Sequence, residues 1–205
     1  MKGKTRYSPW EGPHYRAFSL FGMGILILGE SHYDYPGCKD DSSLTIRVFR
    51  DSNWKNPFRK SIAEAVLGRS VNARSFRYFW DSVAMYNYVR RLLTNRERPT
   101  EMDLRDPEAA VAFTDEVLPS LRPDCVLVFS KNVWNWLPAF HKDSKIDIGC
   151  EAGWYSCGSR RRALAVGLTH PSYWKFSGES AISQHRIIAK ALLKLRRDAA
   201  TNSWI

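Results

Sequence analysis

Runs of four to seven aliphatic residues alternate with stretches whose apolar side chains recur every three or four positions. ILIL at 25–28, DSVAMY at 81–86, CVLVF at 125–129 and ALAVGLT at 163–169 read as strands. Residues 56–67 place Phe58, Ile62, Ala65 and Val66 on one helical face. Asp106-Pro107 opens a helix in cap and first-turn order, carrying Val111, Phe113, Val117 and Leu118 inward. Ser130 caps a helix through Trp134, Leu137 and Phe140, and residues 182–195 form an amphipathic last helix. Residues 145–157 read as an irregular or hairpin segment. Aliphatic strands separated by helices predict an α/β fold, a three-layer α/β/α sandwich around a central, mainly parallel, four-stranded sheet. No repeat or linker divides the chain, so residues 1–205 read as a single domain.

Right-handed crossovers put every parallel strand's carboxyl end on one rim, where open sheets bind ligands. The residues beyond each strand therefore become the candidates. ILILGESHYDYPG places Glu30, Ser31, His32, Tyr33 and Asp34 after the first strand. YNYVRR places Asn87, Arg90 and Arg91 after the second, and THPSYWKFS places His170 after the fourth. The third ends in the plainer Ser130-Lys131-Asn132. A single His or Asn at a strand end is ordinary loop chemistry. Three polar ends on one rim predict a functional site.

Charge narrows the class of partner. The net charge is +10 and the pI about 9.6, with clusters at Lys2, Lys4 and Arg6, at Arg90-Arg91, at Arg160-Arg161-Arg162, and at Lys194, Arg196 and Arg197. Solvated helix faces account for part of this; a nucleic acid is the polyanion that such a surface attracts. Cys38, Cys125, Cys150 and Cys157 form no CxxC pair. Cys125 sits in a strand and packs as an apolar residue. Cys150 and Cys157 are within reach of each other across a hairpin, yet free thiols and no metal or other cofactor are expected. No apolar run approaches the roughly 20 residues of a membrane span, and MKGKTRYSPWEGPHYRAF lacks the apolar middle of a secretory signal. A cytoplasmic monomer with no membrane partner is expected.

LGESHY, MYNYVRR and THPSYWKFS, in this order on three strand ends, resemble the uracil-DNA glycosylase superfamily. Its members carry a first motif of the kind GQDPYH, GINPG or GEAPG, an Asn that reads the base, and an HPS-type second motif. LRPDCVLVFSKNVWNWL resembles the passage between them, and the likeness covers roughly residues 22–197. It implies a DNA glycosylase acting on a flipped-out pyrimidine, either uracil or a modified cytosine such as the hydroxymethylated or glucosylated bases of phage DNA. The bond to the sugar would be hydrolysed to leave an abasic site, in repair or in antiviral defence.

The resemblance also implies roles. His170 would donate to the leaving base, Asn87 would read its edge, and Tyr33 would wall the pocket. Ser31 falls where the water-activating Asp stands in GQDPYH, and His32 where its Pro stands. Serine is no general base and carries no charge. Either Glu30 or Asp34 then supplies the carboxylate, or leaving-group stabilisation with a bound water suffices. Asp34 is placed slightly ahead, since from a loop it can point back over the sugar while Glu30 bonds loop amides. The GEAPG branches that share Glu30 often hold an iron–sulfur cluster, for which this chain lacks the cysteines. Tyr173 or Trp174 would wedge into the DNA stack. Ser172 with Lys175, Arg90, Arg91, Arg160, Arg161 and Arg162 would hold the DNA backbone. Two other readings stand beside this one. A non-catalytic binder of damaged or modified DNA is favoured by the missing Asp. A GDSL-like serine esterase would use Ser31 as nucleophile and His170 as base, but GLTH supplies Gly167 where a DxxH motif needs Asp, and no GxND block is present.

Overall fold

The computed structural model describes residues 7–16, 19–51, 53–94, 97–139, 150–158 and 161–200. Eight strands lie among them, numbered in chain order: β1 Trp10–Glu11, β2 Ile25–Gly29, β3 His32–Tyr33, β4 Ala84–Asn87, β5 Leu92–Leu93, β6 Cys125–Val128, β7 Ala152–Ser156 and β8 Arg162–Gly167. Six form the main sheet in the order β1-β4-β2-β6-β8-β7. The four inner strands are parallel, while β1 and β7 run antiparallel along the two edges. The α/β class and the parallel centre follow the sequence reading, but the sheet has six strands rather than four. Two residues in a polar segment carry no period that marks β1. β7 is the strand of a hairpin with β8, and it falls in the segment read as irregular or hairpin; residues 140–149 lie outside the described residues.

Alternation along each inner strand builds two cores. Ile25, Ile27, Leu127, Leu164 and Val166 face one way, against Ile62 and Ala65, Phe76 and Phe79, and Ile188. Leu26, Leu28, Val126, Ala163 and Ala165 face the other way, against Phe113, Leu118, Val133 and Trp134. Helices thus cover both faces, which is why the strands read as unbroken apolar runs.

The helices are α1 Leu44–Arg50, α2 Pro57–Leu67, α3 Ala73–Asp81, α4 Glu101–Leu104, α5 Pro107–Val111, α6 Leu118–Leu121, α7 Lys131–Trp136, α8 Trp174–Ser177 and α9 Ala181–Ala200. Asn56 caps α2 by accepting from Arg59 N at 3.0 Å. Gly68 ends it in the left-handed region at φ 69°, and a Cβ there would meet the His185 ring of α9 at 2.5 Å. Asp106 opens α5 as read, and a π turn, Ala112–Val117, joins it to α6. Within that turn-to-α6 passage, Pro119 brings no N–H to the helical ladder. The predicted start of the second strand is displaced: Asp81 ends α3, and β4 begins at Ala84. The helix after Ser130 stops at Trp136, before Leu137, because Pro138 pushes the preceding residue into extended backbone (φ −60°, ψ 146°).

Arg59 is a buried cation held by carbonyls. Its guanidinium donates to Val48 O at 2.8 Å, Asp51 O at 2.9 Å and Asn53 O at 3.2 Å, and it lies over the Phe49 and Phe76 rings. It closes the end of α1, supplying donors to Val48 O and to Asp51 O just beyond the helix, while Arg77 meets Arg50 O at 3.2 Å. Arg59→Ala is expected to lower unfolding free energy by about 3 kcal/mol through several orphaned acceptors. Urea denaturation measures this; a loss under about 1 kcal/mol would mean that water replaces the guanidinium.

Candidate functional site

The carboxyl ends of β2 and β4 stay zipped beyond the strands. Tyr88 N donates to Gly29 O at 3.1 Å, and Val89 N to Glu30 O at 2.9 Å. Gly29 pairs with Asn87, which is buried. A Cβ on Gly29 would overlap Asn87 Oδ1 and stand 2.7 Å from Met85 Cε. The glycine of GES is therefore required for room: the Asn87 carboxamide lies across it. Two polar residues far apart in sequence are brought into contact by strand pairing alone.

The third strand end is less plain than it reads. Ser130 caps α7, its Oγ accepting from Val133 N at 3.2 Å and donating to Glu30 Oε2 at 2.6 Å. Glu30 is thereby fixed between the ends of β2 and β6. The cap was legible in the sequence; the bond to a carboxylate 100 residues away was not.

His170 follows β8 and is half-buried. Its Nδ1 accepts from Ser172 N at 3.2 Å, so the neutral ring carries its proton on Nε2. Phe58 of α2 stacks on it, with centroids 4.8 Å apart and planes at 23°, and Tyr173 meets it edge-on at 6.1 Å. Burial lowers its pKa from 6.5 to about 4. The ring is thus neutral at physiological pH, with one N–H donor available.

His32 is placed differently. In β3, which pairs with β5, alternation turns His32 inward and Tyr33 outward. His32 Nε2 bonds Thr45 Oγ1 at 2.8 Å and its ring meets Tyr7 edge-on, so it is a core group and does not face the rim. Burial lowers its pKa to about 4. Between pH 6.5 and 4 the unfolded chain therefore binds protons at both histidines that the folded chain does not. Stability should fall as pH drops through that window, by up to about 1.4 kcal/mol per unit for each ring. Phe58→Ala should raise the His170 pKa toward 6.5 and leave His32 unmoved. Imidazole titration by proton NMR reads both, and an unmoved His170 would show that the Phe58 ring does not desolvate it.

Tyr33 and Asp34 are exposed, while Ser31 Oγ is buried and makes no hydrogen bond among the described residues. Trp174 is buried and donates from Nε1 to Thr169 O at 2.8 Å, which removes it as a wedge. Tyr173 is 39% exposed, and Phe176, which the sequence reading passed over, is 85% exposed. Ser172 and Lys175 are exposed on the same turn.

The arginines also differ from expectation. Arg90 is largely buried and bonds Glu108 at 2.6 Å. Arg91 grips Asp103 in a fork at 2.6 and 2.8 Å and reaches Glu97 at 2.5 Å. These bonds hold both acids at about pKa 2 and raise that of Arg91. Both guanidiniums are matched by local carboxylates rather than left for phosphates. Arg162 begins β8 and Arg161 precedes it, bonded to Asp124 at 2.8 Å. Six residues at about 3.3 Å each put them about 20 Å from His170, on the opposite edge of the sheet. Arg160 lies outside the described residues. Cations do reach the rim from elsewhere: Arg98 sits 5.8 Å over the Tyr173 ring, and Lys131 opens α7. Nothing in the local pattern marked Arg98, since its place depends on the loop folding toward Tyr173.

Glu30, Asn87, Ser130 and His170 thus gather along one rim of a mainly parallel sheet. The fold and rim define an α/β protein with a polar site at its strand ends. Comparison with protein-family models returns no match, and no curated protein matches the chain. Among the described residues no three His, Cys, Asp or Glu side chains gather into a metal site, and no helix is long and apolar enough to cross a membrane.

Proposed function

We propose that the protein is a DNA glycosylase of the uracil-DNA glycosylase type, hydrolysing the bond between a flipped-out pyrimidine and its deoxyribose. The observation that carries this reading is His170: a neutral imidazole whose Nδ1 is occupied and whose Nε2–H is left to donate. The motif resemblance and the strand order support it. β2 and β8 flank β6, so their ends stand two strand spacings apart, about 10 Å, enough for one base above Ser130. Asn87 ends β4 on the other side of β2, and from its place across Gly29 it bonds the edge of a base in that gap with its paired donor and acceptor. The C1′–N bond breaks, the base leaves as an anion held by His170, and a water oxygen attaches to C1′ while its proton passes to solvent or a carboxylate. Glu30, fixed by Ser130, opposes the oxocarbenium charge. Glu30 takes precedence over Asp34 because its carboxylate is anchored at the strand ends, while Asp34 is exposed beyond β3. Arg98, Lys131 and Lys175 meet phosphates, and Tyr173 and Phe176 offer stacking surfaces.

Ser31 in the water-activating position favours one other reading, a binder of modified DNA that does not cleave. The esterase reading is weakened by the geometry: Ser31 Oγ makes no bond to an imidazole, and His170 Nδ1 is already occupied. The test uses single- and double-stranded oligonucleotides bearing uracil, 5-hydroxymethylcytosine or glucosylated cytosine, followed by alkali. Strand breaks at the modified base support the glycosylase. Salt-sensitive binding without breaks on every substrate replaces it with the binder.

A further inference from the structure

Arg161 and Arg162, displaced from the rim, border a cavity at the amino-terminal edge of the sheet. Its volume is about 420 Å³, within the range of small-ligand sites, and Phe21, Met23 and Leu195 form its apolar wall. Arg196 of α9 brings a third guanidinium. Against these three cations the described residues that line the cavity supply one carboxylate, Asp124, which bonds Arg161 at 2.8 Å and accepts from Gly24 N at 2.7 Å. Two positive charges are left over. Phe21 is 40% exposed and adopts φ 58°, a left-handed backbone that side chains other than glycine rarely take. Arg196 donates to Phe21 O at 3.2 Å and holds that turn. Backbone strain of this kind persists where the surroundings enforce it and clusters at ligand sites.

We propose that this cavity is a second site, separate from the rim, that binds a mononucleotide. The Phe21 ring provides a stacking face for the base, and the guanidiniums of Arg162 and Arg196 provide forked donors for the phosphate. Inorganic phosphate alone would leave the aromatic wall unused, and an uncharged nucleoside would leave two guanidiniums unmatched. A concave space of this volume accommodates one nucleotide unit rather than a length of strand.

Isothermal titration of the full chain with dCMP, deoxycytidine and inorganic phosphate tests this. dCMP is expected to bind at least tenfold tighter than either part. Arg162→Gln should weaken dCMP at least fivefold, and the Arg162→Gln/Arg196→Gln pair more, with circular dichroism unchanged. Phe21→Gly, which suits the left-handed backbone, should weaken dCMP but not phosphate. His170→Ala should leave dCMP binding intact, which separates this site from the glycosylase reading. No dCMP binding at millimolar concentration, equal affinity for phosphate alone, or loss of binding in His170→Ala in place of Arg162→Gln would overturn the proposal. So would displacement of dCMP by an unmodified oligonucleotide, which would make the occupant a strand.

Discussion

His170→Ala is expected to cut alkali-revealed strand breaks by about 100- to 1000-fold, the effect of removing one oriented donor from a developing anion. The neutral tautomer sharpens the expectation. A positively charged imidazole would lose activity as pH rises past its pKa, whereas a ring with a pKa near 4 keeps its donor unchanged from pH 5.5 to 8. The rate should therefore show no inflection from this group in that range. His170→Gln retains an N–H donor without the ring and should keep part of the activity, while the loss of the Phe58 stack affects both variants alike. Breaks that persist at the wild-type rate in His170→Ala would remove the residue from catalysis. Binding to the same oligonucleotides, measured alongside, shows whether the loss lies in chemistry or in affinity.

Gly29→Ala is the second large effect, and it comes from one methyl group. The added Cβ would occupy the space of Asn87 Oδ1 and crowd Met85 Cε. Met85 is a flexible side chain and can move; the carboxamide must leave the strand end. Overpacking of this kind costs about 1–3 kcal/mol, and a displaced base reader should lower the rate about 100-fold. Asn87→Ala should lose a similar rate while remaining folded. The pair is expected to be non-additive: in Gly29→Ala/Asn87→Ala the overlap is gone, so the double variant should melt higher than Gly29→Ala alone. Thermal melting of the four proteins gives the coupling directly. A Gly29→Ala single variant that keeps wild-type melting and activity would show that Asn87 does not lie across this glycine.

The same contact shows how far the sequence could be read. The aliphatic runs marked all four parallel strands because strands buried on both faces need no alternation. The polar residues at their ends marked the rim, because topology puts those ends together whatever the loops do. Trp174 and Phe176 were not distinguishable in the same way. They are two residues apart in YWKFS, yet a turn of helix sends one to Thr169 O in the core and the other into solvent. His32 and Tyr33 divide similarly, since pairing of β3 with β5 sets which of two neighbours faces inward. Arg90 and Arg91 read as phosphate ligands until Glu108, Asp103 and Glu97 fold against them.

Local pattern, then, was enough for the α/β class, the parallel inner strands, the caps at Asp106 and Ser130, and the location of polar chemistry at strand ends. These depend on backbone sterics and on periods of two and 3.6, which act between near neighbours in the chain. The edge strands, the Glu30–Ser130 bond, the fit of Asn87 over Gly29, the neutral state of His170 and the placement of Arg59, Arg90, Arg91, Arg98, Arg161 and Arg162 came only with the assembled fold. Each depends on contacts across tens of residues or on how much water reaches a side chain, and neither quantity is written in a local stretch of sequence.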